Sequence, residues 1–440
     1  MHKKNTSRSL IDIDEKNIIL AINDVEPGLV EAITKLSSEI GRKLYGIVLV
    51  DKTFVNYKNR VIDGTGLFEE IICDFNDPKS IRSKLKPYLS RLLTYCCRYE
   101  WDIKFLQKAT PYLSYISVPD SDSLQAASQK DIMRDRLHEF NPDLVPRYFA
   151  ISEYVKEELD NIIGQMEFPV IIKPAGLDGS QLVKKCDDMS IVHESIRNAF
   201  HRIEDIYDEY HGRGSHIMMI EEFMQGDMYS IDAYVNEYGE INVLPPIKVH
   251  TYHALGGDSF AGAIQSSAHD LYDDDIHRAN TATKQAIHAL GLKSSLTHVE
   301  LYKTISGWKI IEVAARMGGY REDLYREAYG VNHYLNYLRN NLNLEIDTDV
   351  TAKQHAAAIN IHTEQEGIIL NVHGIEKLKS LQSVIWLKQY IANGEKAFFS
   401  SNGGFYVVHG VLANANKFEL EKDIDTIRKT IKVEVEPFDD

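Results

Sequence analysis

The chain has 440 residues, 44% apolar and 26% charged, with 26 Gly and 12 Pro, an ordinary globular composition with room for about three domains of ~150 residues. Its formal charge of −16 excludes a surface that follows nucleic-acid phosphate by bulk basic charge, so no nucleic-acid partner is expected and only a local basic pocket remains open. No apolar run nears the ~20 residues of a membrane span, so no membrane partner is expected. The polar start with Lys3, Lys4 and Arg8 is not followed by the hydrophobic stretch of a secretory signal. Cys73, Cys96, Cys97 and Cys186 make neither a CxxC pair nor a disulfide framework, which points to a reducing compartment, most simply the cytoplasm.

Residues 1–13 read as a polar arm. Over residues 14–122, short apolar runs at 17–22, 45–50, 70–74, 92–96 and 115–118 are interleaved with helical stretches ending near 40 and spanning 78–89 and 102–108. That alternation predicts βαβ units and a Rossmann-like parallel sheet. The turn after the first run, Asn23-Asp24-Val25-Glu26-Pro27-Gly28, is not glycine-rich, so this sheet is not expected to hold a nucleotide. Adjacent Cys96 and Cys97 read as small core residues.

A single helix is predicted over residues 123–139, then a strand at 148–151, and the stretch 217–249 reads as strand-rich. Residues 250–270, with Gly256-Gly257 and little periodicity, read as a long loop, a length usually reserved for functional lids or disorder. A helix over 273–290 leads to strands at 296–304 and 308–313, joined by Ser306-Gly307. The block 349–440 holds short strands, glycine turns and a closing helix over 417–431, and reads as an α+β domain. The fold expected is therefore a multidomain α/β and α+β chain divided at 14–122, 123–348 and 349–440.

Four segments carry candidate chemistry. In the first, Lys173 ends the apolar strand Pro169-Val170-Ile171-Ile172-Lys173-Pro174 and is followed by Ala175-Gly176-Leu177-Asp178-Gly179-Ser180. A glycine-rich loop exposes N–H groups to phosphate oxygens and the lysine adds a point charge, although a hairpin turn beside a snorkelling lysine reads equally well. In the second, Glu221-Glu222-Phe223-Met224 before Gln225-Gly226 offers backbone groups to a heterocycle edge between apolar walls. In the third, Lys130 and Arg134 share a helix face, an arrangement most often solvated.

The fourth segment is the sharpest. Alternation puts His298 and Glu300 on one strand face, and pairing across the Ser306-Gly307 turn brings Glu300 opposite Glu312. Two adjacent carboxylates in apolar strands call for a cation, and hard oxygen ligands favour Mg²⁺, or Mn²⁺ in its place. Arg316, just beyond, offers a planar fork to a carboxylate or acyl phosphate. His250 and His253 have a zinc-like HxxH spacing, but without further ligands they fit a substrate lid better.

Taken in order, these residues resemble the ATP-grasp carboxylate–amine ligases, over residues 123–345. The marks are the helix lysine Lys130, the strand-end Lys173 with Gly179 and Ser180, the hinge Glu221, Glu222, Phe223 and Met224, and the glutamates Glu300 and Glu312 with Arg316. Many members of the family have asparagine and proline at these two positions, whereas Ala314-Ala315 before the arginine resembles the L-amino-acid (dipeptide) ligase branch. The resemblance implies a central two-lobed ATP-grasp fold, ATP with Mg²⁺ as cofactor, and amide formation through an acyl phosphate. In that scheme Lys130 and Lys173 hold phosphates, Arg316 and His298 face the acyl phosphate, and Tyr320, Arg321, His250 and His253 serve the substrates.

The expected partners are a small carboxylic acid and an amine, most simply amino acids. Dimers are common in the family, and nothing in the sequence marks an interface. Two positions depart from the family pattern. Ala314 removes an asparagine oxygen that commonly reaches the second metal, and Met228 stands where many members place a ribose-binding glutamate, with Asp227 as a substitute. Rival readings are a ligase for another acid or amine and an inactive nucleotide-binding scaffold.

Overall fold

The computed structural model describes residues 16–55, 64–209, 212–347, 350–400 and 404–438; the expected arm over residues 1–13 lies outside them. Four parallel strands, β1 (Ile18–Ile22), β2 (Tyr45–Asp51), β3 (Phe68–Cys73) and β4 (Leu92–Cys96), form the N-terminal sheet in the order β3-β2-β1-β4. Strands β1 and β4 are buried at every residue, as their unbroken apolar runs require when helices cover both faces. The helix Pro27–Glu39 turns Leu29, Ala32, Ile33 and Leu36 onto this core at helical spacing.

A second, antiparallel sheet is built from β5 (Tyr148–Ile151), β6 (Val170–Pro174), β7 (Lys184–Cys186) and β8 (Met218–Glu222), in the order β5-β8-β6-β7. It has its own core, in which Val170, Ile172 and Ile220 meet Val192 and Ile196 of the long helix Met189–Glu209.

The remaining strands are β9 (Gly226–Val235), β10 (Ile241–Val243), β11 (Ile247–Thr251), β12 (Gly262–Ser267), β13 (Ser295–Thr304), β14 (Gly307–Ala314), β15 (His355–Ile361), β16 (Gly367–His373), β17 (Val384–Gln389), β18 (Lys396–Ala397), β19 (Val408–Asn414) and β20 (Lys432–Pro437). Nine of them make the central sheet, β14-β13-β9-β11-β12-β15-β19-β17, with β10 beside β9. Strands β18, β16 and β20 form a small separate sheet. Because β12 pairs with β15, the central sheet continues across residue 349 into the C-terminal block.

Three sequence expectations give way here. The helix expected over 123–139 is two helices, Ser121–Ser128 and Lys130–Phe140, broken at Gln129 (φ −124°, ψ 113°). The Lys130 N–H leaves the helical ladder to donate to the Ala175 carbonyl at 3.0 Å, a tertiary bond that overrides local propensity. The loop expected over 250–270 contains β12, paired antiparallel with β11 around a turn at Gly256 (φ +90°). Its residues Gly-Ala-Ile-Gln-Ser-Ser are too small and polar to show a period-2 apolar signal. The run at 115–118 is turn and irregular backbone, with Tyr115 exposed and Pro119 blocking further pairing.

All four cysteines are buried and free. Among the described residues no helix is long and apolar enough to cross a membrane.

Candidate active site

A cleft opens between the second sheet and the central sheet. Lys173 of β6 and Glu221 and Glu222 of β8 line it from one side, with Phe223 and Met224 just beyond. Met228 of β9, Glu300 of β13 and Glu312 of β14 line it from the other, and Lys130 and Ser180 also line it. Ten expected nucleotide and metal residues from seven segments thus face one space.

The carboxylate pair is where alternation predicts it. In the β13–β14 register Glu300 stands opposite Glu312, and His298 opposite Ala314. His298 Nε2 lies 3.5 Å from Glu300 Oε1. Burial works to raise the Glu300 pKa, but the bond from His298 and the nearby arginines hold it below the usual carboxylate range. Glu312 lies 3.4 Å from Lys130 Nζ, which also donates to the Leu177 carbonyl at 2.6 Å.

Two residues absent from the sequence reading anchor this face. Asp232 is wholly buried on β9; its Oδ1 is 2.6 Å from His298 Nδ1, while its Oδ2 is 2.9 Å from His333 Nε2 and accepts the Gly318 N–H at 3.0 Å. Burial alone would raise the Asp232 pKa, yet the two imidazoles hold it far below the ordinary value. Asp232 in turn keeps the His298 pKa above its usual value against the effect of burial. A signal was present: Asp232 interrupts the apolar run Ile231–Val235 of β9, and a buried charge requires partners. Gly318 leaves no room for a side chain, since a Cβ would sit 2.4 Å from His298 Nδ1. Gly318→Ala should therefore destabilise the fold by about 1–3 kcal/mol, read as a lowered Tm in thermal denaturation.

The Lys130–Arg134 face, expected to be solvated, is buried. Arg134 grips Glu221 with Nε at 2.8 Å from Oε1 and Nη2 at 3.1 Å from Oε2, and Lys173 Nζ is 2.7 Å from the same carboxylate. Burial raises the Glu221 pKa on its own, but the two cations hold it at about 2. Lys173 is drawn down to about 8, by burial first and by the Arg134 charge, against the pull of Glu221. The Glu221 side chain is thus committed to this ion cluster, leaving its backbone for a ligand.

Other expected residues divide. Gly179 (φ +64°) and Ser180 (φ +61°) both sit in the left-handed region, unusual for serine and typical of a ligand-shaped loop. Arg316 donates Nε to Glu100 Oε2 at 2.7 Å, so the segment following β4 reaches the site from the N-terminal sheet. Tyr320 (φ +58°) donates its hydroxyl to Asn360 Oδ1 at 2.8 Å. Arg321 is buried and donates to Gln265 Oε1 at 2.7 Å and the Gly319 carbonyl at 2.8 Å, which makes it a brace for the Gly318-Gly319 turn. His253 stacks on Phe260, a cleft residue, at 4.7 Å, whereas His250 lies on β11. Asp227 is 3.4 Å from Lys248 and does not line the cleft, but Met228 does.

Residues 166–323 match the ATP-grasp domain model. The whole chain superposes on an L-amino acid ligase from Bacillus licheniformis with a TM-score of 0.74 at 17% identity, covering 96% of this chain and 100% of that one. An N5-carboxyaminoimidazole ribonucleotide synthetase from Thermotoga maritima gives 0.67 at 16% identity, with the same coverage. A phosphoribosylglycinamide synthetase from Anaerococcus prevotii gives 0.61 at 18%, also covering 96% and 100%. An uncharacterized protein of Sinorhizobium fredii is 21% identical over 326 residues, 73% of this chain, and the match spans 64% of that relative's length. The chain thus carries an ATP-grasp domain, within a fold that it shares with these ligases and synthetases.

Proposed function

We propose that the chain is an ATP-dependent carboxylate–amine ligase that joins amino acids by a peptide bond. The observation that carries this reading is the convergence of Lys130, Lys173, Glu300 and Glu312 on one cleft. In this scheme the backbone of Glu221–Met224 receives the adenine between Phe223 and Met224. Lys130 and Lys173 meet phosphate oxygens, and the 176–180 loop covers the terminal phosphate. A substrate carboxylate oxygen attacks the terminal phosphorus as the bond to the departing ADP oxygen breaks, giving an acyl phosphate. The amine nitrogen then attacks the acyl carbon, phosphate leaves with its oxygen, and the nitrogen gives up a proton to solvent.

Two anions must meet in the first step, so fixed cations aimed at the developing charge are the main requirement. Arg316, held by Glu100, serves the acyl phosphate and the tetrahedral oxyanion; His298, fixed by Asp232, points its other nitrogen at Glu300, 3.5 Å away.

Glu300 and Glu312 fit a hard divalent cation. They are all-oxygen donors set opposite one another, as Mg²⁺ or Mn²⁺ prefers when phosphate and water complete its shell. Among the described residues no group of three or more His, Cys, Asp or Glu side chains is set to hold a metal ion. The ion would supply charge neutralisation of the triphosphate.

The amino-acid reading rests on Ala314-Ala315 before Arg316 and on Tyr320 beside it, with His250 and His253 near the β11–β12 turn. The likeness to nucleotide-precursor synthetases supports a second reading, another small acid or amine on the same chemistry. The division at 14–122, 123–348 and 349–440, a cytoplasmic location and a homodimer belong to the same proposal.

Lys173 gives the pH test. Only its protonated form attracts phosphate, so with a pKa of about 8 nucleotide affinity should be full near pH 6.5 and fall as pH rises through 8 to 9.5. Titration calorimetry with Mg·ADP at those values reads it directly, and Lys173→Met should flatten the profile. The function itself is tested by phosphate release from ATP across pairs of common amino acids, with the product identified by mass. If no pair reacts, the amino-acid reading gives way to the second one.

A further inference from the structure

One buried cation near the cleft is used by none of the motifs above. Arg213 lies between the helix Met189–Glu209 and β8 and is 7% exposed. Its Nε donates to the Ser128 carbonyl at 3.3 Å and Nη1 to Asp178 Oδ2 at 3.3 Å. Its Nη2 makes no hydrogen bond among the described residues and stands 3.5 Å from Glu100 Oε1. A buried guanidinium nitrogen without an acceptor is unfavourable, and is expected chiefly where a ligand supplies the missing oxygen.

The neighbours of Arg213 locate that oxygen. Asp178 lines the cleft and belongs to the glycine loop; Ser128 lies two residues before Lys130; and Glu100 also holds Arg316. Burial works against the Arg213 charge, but Glu100, Asp178 and Glu312 outweigh it and keep the group cationic. The backbone of Arg213 is joined to the start of the loop, its N–H donating to the Gly176 carbonyl at 2.9 Å. Gly176 is required there, because a Cβ would lie 1.8 Å from the Arg213 carbonyl oxygen. The guanidinium is therefore held just behind the cleft wall, between the cleft-lining Asp178 of the glycine loop and the Glu100 carboxylate that also holds Arg316.

We propose that Arg213 binds the terminal phosphate of the nucleotide and so is a further ligand of the group being transferred. This rests on the ligase reading, and takes it one residue beyond the motifs. It predicts selectivity between nucleotides. Arg213 should matter to a triphosphate and be nearly indifferent to a diphosphate, whereas Lys130 and Lys173 should matter to both.

The test is titration calorimetry on the full chain with Mg²⁺, comparing ADP with the non-hydrolysable adenylyl imidodiphosphate. Arg213→Met is expected to weaken the triphosphate analogue roughly 10–100-fold and to leave ADP within about threefold. Arg213→Lys, which keeps the charge but loses the fork, should lose roughly 3–10-fold for the triphosphate analogue alone, and it carries the test if the methionine variant does not fold. Equal weakening of both nucleotides, or no change in either, would overturn the assignment while leaving the ligase reading intact. If the unmodified protein binds neither nucleotide, the ligase reading fails and the assignment falls with it.

Discussion

Glu312→Gln is expected to lower acid- and amine-dependent ATP turnover by roughly 10²–10³-fold, the scale seen when one preorganised electrostatic group is lost from a reacting centre. Glu312 faces Glu300 across the β13–β14 pair and lies 3.4 Å from Lys130, so the amide removes charge from the proposed ion site and from the lysine proposed to meet phosphate together. The substitution is nearly isosteric, and Glu312 is only partly buried, so the Tm should move by no more than a few degrees. The Mg²⁺ concentration giving half-maximal turnover should rise in the variant. Steady-state kinetics across a Mg²⁺ series would check this, and turnover unchanged at every Mg²⁺ level would remove Glu312 from the ion site.

The second large effect concerns stability. Arg134→Met leaves the Glu221 carboxylate buried with Lys173 as its only partner among the groups that now hold it. Lys173 still balances that charge, so the expected cost is that of two charge-assisted hydrogen bonds lost from a buried carboxylate, about 2–4 kcal/mol. Replacing Arg134 and Glu221 alone would strand Lys173, so the triple variant Arg134→Met, Lys173→Met and Glu221→Met is the one expected to recover part of the lost Tm. That rescue separates an ionic role from a packing one: if the triple variant is as unstable as the sum of the single variants, Arg134 acts mainly by filling space.

The elements and the ordered motifs were legible because each is a local pattern. The unbroken apolar runs of β1, β2 and β4 signalled a parallel sheet, and the period-2 spacing of His298 and Glu300 with the Ser306-Gly307 turn fixed the register that faces Glu300 with Glu312. What escaped depends on tertiary contact. The break at Gln129 is set by a bond to Ala175, far away in the chain. The β12 strand gains its pairing from neighbours on both sides rather than from its own residues. Buried charges were misread for the same reason. Arg134 looks like a surface residue until Glu221 is placed beside it, and Asp232 is intelligible only with His298 and His333 at its two oxygens. Charge at this site is therefore a matter of placement. A chain of net charge −16 sets Lys130 and Lys173 in the lining of one cleft and buries Arg134 beside them, on the Glu221 carboxylate.

The central claim is that the cleft activates a carboxylate with ATP and passes the acyl group to an amine. The most direct measurement follows ATP, ADP and phosphate together while the acid and the amine are added singly and then jointly, with the product weighed by mass spectrometry. The account predicts that ADP and phosphate appear in equal amounts only when both substrates are present, matched by one new amide, smaller than the sum of acid and amine by one water. ATP hydrolysis indifferent to both substrates, or release of AMP and diphosphate, would contradict it.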